Sequence, residues 1–139
     1  MGAAIVLHVQ LSVPITEKRV FLVDDDPSLL RLLKQWLTDQ GLAVNAFGSF
    51  NDAKQLLLTA PPDLLLTDVR LGAFNGLQLV ILAKQVNAKT SAIIMSAFDD
   101  PALRREAEAS GATAYLVKPF NRDAFVTAVR QAFAEPVVN

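Results

Sequence analysis

The chain has 139 residues, of which 52% are hydrophobic, and this is enough for one domain with an ordinary core. Its 13 basic and 14 acidic residues leave no basic footprint for nucleic acid, and the absence of cysteine excludes disulfides, zinc–thiolate sites and cysteine nucleophiles. No apolar run is long enough to span a membrane, so we expect a cytoplasmic domain without membrane contact or direct nucleic acid contact.

The first 18 residues stand apart from the rest of the chain. Apolar and polar side chains alternate over residues 7–13, which indicates a half-buried strand that Pro14 ends. A disordered tail accounts for these residues equally well. We therefore expect an N-terminal extension over residues 1–18, one domain over residues 19–134 and a C-terminal tail over residues 135–139.

From Arg19 onward, strand and helix patterns alternate. Residues 20–23 are apolar and predict a buried strand, which leads directly into three aspartates and a proline. Asp26 can cap a helix that begins at Pro27. Leucines and a tryptophan then recur at helical spacing until Gly41 ends the helix.

The next two strands differ in character. Residues 42–47 predict the second strand, after which Ser49 or Asn51 can cap a helix. The continuous leucine run 64–66 predicts a third strand that is buried on both faces. This strand ends in Asp68, and a carboxylate at the end of a buried strand is costly unless it has a role.

A loop with two glycines follows, and the pattern then resumes. The third helix has four predicted apolar positions, namely Leu77, Val80, Ile81 and Val86. Residues 91–95 predict the fourth strand, which leads to Ser96. Asp99 or Asp100, with Pro101, can start the fourth helix, which has few apolar side chains and is expected to be loosely held.

The chain closes with a strand over residues 113–117, which ends at Lys118, and a last apolar helical pattern. Five strands alternating with five helices predict the α/β class. The expected architecture is a doubly wound five-stranded parallel sheet of the flavodoxin-like (βα)5 type, with strand order 2-1-3-4-5.

Polar side chains collect at the carboxyl ends of these strands, where ligands bind in such sheets. Asp24 and Asp25 follow the first strand, next to Asp68, and carboxylates about 5 Å apart repel by roughly 3 kcal/mol at an effective dielectric near 20. Oxygen ligands without histidine or cysteine favour Mg²⁺. The Lys118 ammonium, the Ser96 hydroxyl and a carboxylate nucleophile would suit a transferring phosphoryl group.

Taken singly, each of these groups has an ordinary explanation as a solvated turn, a helix cap or a surface side chain. Their common position at the strand ends favours a site. The motifs 23-VDDD-26, 66-LTD-68, 95-MSA-97 and 118-KPF-120, with the loop to Gly76, resemble those of response-regulator receiver domains. The resemblance covers residues from about Arg19 to Ala134.

The resemblance implies a role for each group at the strand ends. Asp68 would be the phosphoacceptor, and Asp25, supported by Asp24, would bind Mg²⁺ together with Asp68 and the main-chain carbonyl of Arg70. Ser96 would contact the phosphoryl oxygens, as would Lys118. Tyr115, three residues before this lysine, matches the switch aromatic of the family.

The resemblance also implies partners. A sensor histidine kinase or a phosphotransfer protein would supply the phosphoryl group, and the domain would act only on itself. The face of the fourth helix, fifth strand and fifth helix would then contact an effector domain or a second copy. Two departures, the missing proline in Leu71-Gly72-Ala73 and Asn75 in place of a common aspartate, concern the rigidity of the loop.

Two other functions fit parts of the sequence. The run 24-DDDPS-28 resembles the nucleophile motif of haloacid-dehalogenase-type phosphatases, but that interpretation leaves Asp68 unexplained and needs acidic residues after Lys118. Turnover of a phosphate monoester would support it. A domain of the same fold that is never phosphorylated is the second alternative, and absence of Mg²⁺ binding would support that one.

Overall fold

The computed structural model describes residues 17–134. The strand predicted over residues 7–13 and the tail predicted over residues 135–139 lie outside this part. The strands are β1 Arg19–Val23, β2 Ala43–Phe47, β3 Leu64–Asp68, β4 Arg70–Leu71, β5 Phe74–Asn75, β6 Ser91–Ser96 and β7 Ala114–Val117. The helices are α1 Pro27–Asp39, α2 Phe50–Thr59, α3 Gly76–Val86, α4 Pro101–Ser110 and α5 Arg122–Phe133.

Five strands form one parallel sheet in the order β2-β1-β3-β6-β7. Because β4 and β5 form a separate antiparallel pair, this is the predicted order 2-1-3-4-5 of the five main strands. All carboxyl ends of the sheet therefore lie at one edge. The neighbours β1 and β3 are at its switch point, where ligands bind in folds of this kind.

The central strands are buried because helices cover both faces of the sheet. On one face, Phe21 and Leu65 pack in a core with side chains of α2, α3 and α4. On the other face, Leu22 and Leu66 pack in a core with side chains of α1 and α5. Each such leucine contributes about 1.5–3 kcal/mol by leaving water, so the continuous leucine run of β3 stabilises both layers at once.

Side-chain caps fix where the helices begin. Asp26 Oδ1 accepts hydrogen bonds from the main-chain nitrogens of Ser28 and Leu29, which confirms the predicted start of α1. Ser49 caps α2 and Asp100 caps α4, so the two open choices are decided. β2 and β7 each begin one residue later than predicted, a difference of the size expected at element ends.

The middle of the chain contains the third helix as predicted, and one feature that was not predicted. Of the four apolar positions of α3, Leu77 and Val80 are buried, whereas Ile81 and Val86 are 43% and 39% exposed. This helix is apolar nearly all round, so its sequence does not define a single buried face. The segment after Asp68, predicted as a loop, contains the β4–β5 pair, in which Gly72 turns the chain at a φ of 63°.

Within residues 17–134, no helix combines the length and the apolar character needed to cross a membrane. α4 has a single fully buried side chain, that of Ala107, while Leu103 is partly buried. This agrees with the few apolar positions seen in its sequence; that α4 is loosely held stays a prediction.

Candidate functional site

Three aspartates meet at the carboxyl edge of the sheet. Asp24 and Asp25 follow β1, and Asp68 ends β3. These strands are parallel neighbours, with Val23 opposite Thr67. One oxygen of each carboxylate lies within 4.8 Å of the other two. The crowding expected from the sequence is therefore present.

The carboxylate of Asp24 is fully buried and has partners for both oxygens. Its Oδ2 accepts a hydrogen bond from Lys118 Nζ at 2.7 Å, and its Oδ1 accepts one from the main-chain nitrogen of Asp26 at 2.9 Å. A buried charge is stable only when it is paired in this way. Asp25, by contrast, is exposed, so the two neighbouring aspartates differ in their freedom to bind a ligand.

Lys118 forms ion pairs with two of the three aspartates of this acidic cluster, Asp24 and Asp68. It follows β7, and its main-chain nitrogen donates to the Ser96 carbonyl oxygen at 2.7 Å. Its Nζ also lies 3.1 Å from Asp68 Oδ2, in addition to its contact with Asp24. The lysine side chain is 20% exposed, so its ammonium is partly shielded and its two ion pairs are stronger than surface pairs.

Asp68 and Lys118 both have shifted pKa values. Burial raises the pKa of the Asp68 carboxyl, the Lys118 ammonium opposes this shift, and the charge of Asp24 adds to it. Burial lowers the pKa of Lys118, but its hydrogen bonds and charge pairing with Asp24 and Asp68 outweigh burial, so this pKa is raised overall. Lys118 therefore keeps its charge at neutral pH. A further cation near Asp68 would stabilise the ionised form of its carboxyl group.

Ser96 ends β6, the strand next to β3, and is 2% exposed. Its Oγ accepts a hydrogen bond from the main-chain nitrogen of Phe98 at 3.0 Å. A hydroxyl that accepts one hydrogen bond can still donate its own proton. Ser96 thus lies at the same edge as Asp68 with a donor available.

Tyr115 lies on the edge strand β7 and is half-buried. Its hydroxyl donates to the Phe98 carbonyl oxygen at 2.6 Å. The guanidinium of Arg104 is 4.6 Å from the centre of the tyrosine ring, and Arg104 pairs with Asp99 at 2.8 Å. The ring is therefore held from two sides, by a hydrogen bond and by a cation–π contact.

The sequence interpretation missed Phe98. Its two main-chain groups contact Ser96 and Tyr115, while its exposed ring lies 4.8 Å from the Arg70 guanidinium. Both Arg70 and Phe98 line a cleft of about 750 Å³ that Ser96 also lines. Contacts through main-chain atoms leave no signature in the side-chain pattern. That the Arg70 carbonyl binds a metal stays a prediction.

Comparison with known proteins shows the family to which the chain belongs. The family model described as "Response regulator receiver domain" matches residues 20–130. The chain is 38% identical over 114 residues to the DNA-binding transcriptional regulator NtrC of Klebsiella pneumoniae, covering 82% of this chain and 24% of that protein. It is 32% identical over 119 residues to the C4-dicarboxylate transport transcriptional regulatory protein DctD of Pseudomonas aeruginosa, covering 84% and 25%.

A solved structure gives the same result for the fold. The signal receiver domain of a putative LuxO repressor protein from Vibrio parahaemolyticus superposes with a TM-score of 0.78 at 30% identity. The match covers 84% of this chain and 89% of that one. The chain spans about a quarter of the length of the curated relatives it matches, so the likeness concerns one domain of those proteins.

Proposed function

The chain belongs to the response regulator receiver domain family, the phosphoacceptor domains of two-component signalling, and we propose that Asp68 is the residue that accepts the phosphoryl group. The observation that carries this assignment is the Asp68 carboxylate at the end of a central strand, 3.1 Å from Lys118 Nζ and beside Asp24 and Asp25. The Asp68 side chain is 13% exposed, whereas that of Asp24 is fully buried. Asp68 is thus the more accessible nucleophile of the two.

The reaction we propose is phosphoryl transfer from a phosphohistidine on a sensor histidine kinase or a phosphotransfer protein. A carboxylate oxygen of Asp68 attacks phosphorus, and a P–O bond forms as the P–N bond to imidazole breaks. The imidazole leaves with the electron pair and takes a proton from solvent. Lys118 Nζ and the Ser96 hydroxyl bind the phosphoryl oxygens, and the product is an acyl phosphate on Asp68.

The acidic cluster also supports a site for Mg²⁺. Its three carboxylates supply hard oxygen ligands within 4.8 Å of one another, without histidine or cysteine. On this proposal Asp25 is the principal ligand because it is exposed, with Asp24, Asp68 and the Arg70 carbonyl completing the protein's share. A bound divalent ion offsets the repulsion among the carboxylates and neutralises charge on the phosphoryl oxygens.

The output we propose is a change of surface rather than catalysis on an outside substrate. The face formed by α4, β7 and α5 contains Tyr115, and α4 has few buried side chains that would resist a shift. An effector domain or a second copy of the chain would contact this face. The relatives NtrC and DctD are named as transcriptional regulators, but this chain has 13 basic and 14 acidic residues and so no excess of positive charge for DNA; we propose that the domain itself does not contact DNA directly.

The test is to label the protein with a small-molecule phosphodonor and Mg²⁺. The parent should gain one phosphoryl group that is stable in acid and labile in alkali or hydroxylamine, and Asp68→Asn should gain none. Asp63→Asn, directly before the start of the same strand, is the matched control and should be labelled like the parent. Full labelling of the Asp68→Asn variant would overturn the assignment.

A further inference from the structure

The first residue of α3 lies unusually close to the main chain of Asp68. A Cβ added to Gly76 would be 1.9 Å from the Asp68 carbonyl oxygen and 2.8 Å from Thr67 Oγ1. Gly76 does not have a positive φ, unlike Gly41, Gly72 and Gly111 among the glycines of residues 17–134. The need for glycine at this position is therefore steric and comes from the close approach itself.

Thr67 also holds this carbonyl, through a hydrogen bond from its side chain. Its side chain is fully buried, and its hydroxyl donates to the Asp68 carbonyl oxygen at 2.9 Å. The main-chain nitrogen of Gly76 donates to the carbonyl oxygen of Val69, the next residue along. Asn75 caps α3 through the main-chain nitrogen of Leu77 at 2.8 Å. The start of α3 is thus attached to the main chain that carries Asp68.

We propose that Gly76 and Thr67 are positioning residues that set the orientation of the Asp68 peptide and, through it, the place of its carboxylate. This inference rests on Asp68 as the acceptor. A peptide that rotates carries its side chain with it, and the Asp68 carboxylate has little freedom to compensate. Its Oδ2 must stay at 3.1 Å from Lys118 Nζ and near two other carboxylates.

The size of the effect follows from the distances. A Cβ at 1.9 Å from a main-chain oxygen forces a displacement of about 1 Å or more, and misplacement of a reacting group by about 1 Å costs roughly 100-fold in rate. The loss of the Thr67 hydroxyl removes one hydrogen bond without adding bulk. Mutation of residues that orient metal ligands typically lowers metal affinity or activity by about 10- to 100-fold.

The experiment compares Gly76→Ala with Gly48→Ala in the full chain. Gly48 follows β2 at the same edge of the sheet, and an added Cβ there would meet no atom within 4 Å. Gly76→Ala should accept phosphoryl from acetyl phosphate about 100-fold more slowly and bind Mg²⁺ about 10-fold more weakly by calorimetry. Gly48→Ala should match the parent in both measurements.

Urea unfolding shows whether Gly76→Ala folds. If it does not, a second pair of variants, at Thr67, still tests the proposal. Thr67→Val keeps the shape of the side chain and should slow labelling about 10-fold, whereas Thr67→Ser keeps the hydroxyl and should stay within about twofold of the parent. Equal rates in these two variants would overturn the role of Thr67. A folded Gly76→Ala variant with the parent's rate and Mg²⁺ affinity would overturn that of Gly76.

The acceptor assignment is checked separately by Asp68→Asn. If this variant is still labelled, the proposed function fails. The Mg²⁺ affinities of Gly76→Ala and Thr67→Val would then still show whether Gly76 and Thr67 position the Asp68 carboxylate. If Asp68→Asn is unlabelled while Gly76→Ala and Thr67→Val behave like Gly48→Ala, only the positioning inference fails.

Discussion

The Tyr115 hydroxyl donates a hydrogen bond at 2.6 Å to the carbonyl oxygen of Phe98, the same residue whose main-chain nitrogen donates to Ser96 Oγ at 3.0 Å. One residue therefore connects a buried hydroxyl at the acidic cluster with a half-buried ring on the edge strand. If Ser96 turns toward a phosphoryl group on Asp68, its bond to Phe98 is lost, and the acceptor that holds the Tyr115 hydroxyl is free to move.

This connection predicts that Ser96→Ala uncouples the site from the surface. In the parent, phosphorylation should shift NMR signals around Tyr115 and over residues 101–111, because two conformations that differ by a few kcal/mol exchange populations. In fully phosphorylated Ser96→Ala these shifts should largely disappear. Ser91→Ala, at the other end of β6, is the control. Equal shifts in Ser96→Ala and the parent would contradict the coupling.

Asp25→Ala should weaken Mg²⁺ binding by about 10-fold or more, because the variant loses the exposed carboxylate of the cluster. Phosphoryl transfer should fall with it. Calorimetry is the appropriate measurement, since Trp36 packs against Phe125 in the α1–α5 core rather than at the cluster. Asp39→Ala removes an equal charge at the end of α1 and should leave the Mg²⁺ affinity unchanged. If Asp25→Ala bound Mg²⁺ as tightly as the parent, Asp25 would be excluded as a ligand.

Lys118→Met should destabilise the fold because it leaves the fully buried Asp24 carboxylate without its cation. Removing one partner of a buried pair costs about 3–5 kcal/mol, and we expect about 2–3 kcal/mol here since Lys118 is 20% exposed. Urea unfolding at pH 7 measures the loss. Adding Asp24→Asn should recover part of it, whereas Lys34→Met on α1 should have little effect. No recovery in the double variant would show that the pairing is not the cause.

The raised pKa of Asp68 predicts the sign of a pH effect. Folded Asp68 holds its proton more tightly than unfolded Asp68, so stability falls as pH rises from the ordinary value of 3.8 through the raised pKa. Asp68→Asn does not titrate, and it should therefore be more stable than the parent at pH 7, with the advantage shrinking as pH approaches 3.8. Urea unfolding of both proteins between pH 3.8 and about 7 measures this difference in stability, with Asp63→Asn as control. A stability difference that does not change with pH would contradict the prediction.

Much of the fold could be predicted from the sequence because burial and capping act through side chains. The leucine run of β3 indicated a strand covered on both faces, and Asp26 with Pro27 marked the start of α1. The α/β repeat then placed Asp24 and Asp68 at one edge, since the carboxyl ends of parallel strands lie together. The crowding of the three aspartates followed from the expected strand order, in which the first and third strands are neighbours.

Other features depended on the tertiary structure. The near-uniform apolar surface of α3 gave no periodicity from which the exposure of Ile81 could be predicted. The pairing of Lys118 with Asp24 joins residues 94 positions apart and is set by the register of the sheet. The approach of Gly76 to the Asp68 carbonyl, and the link through Phe98, involve main-chain groups. Every residue carries such groups, so the sequence determined which side chains reach the site, and only the packed chain decided which peptides hold them there.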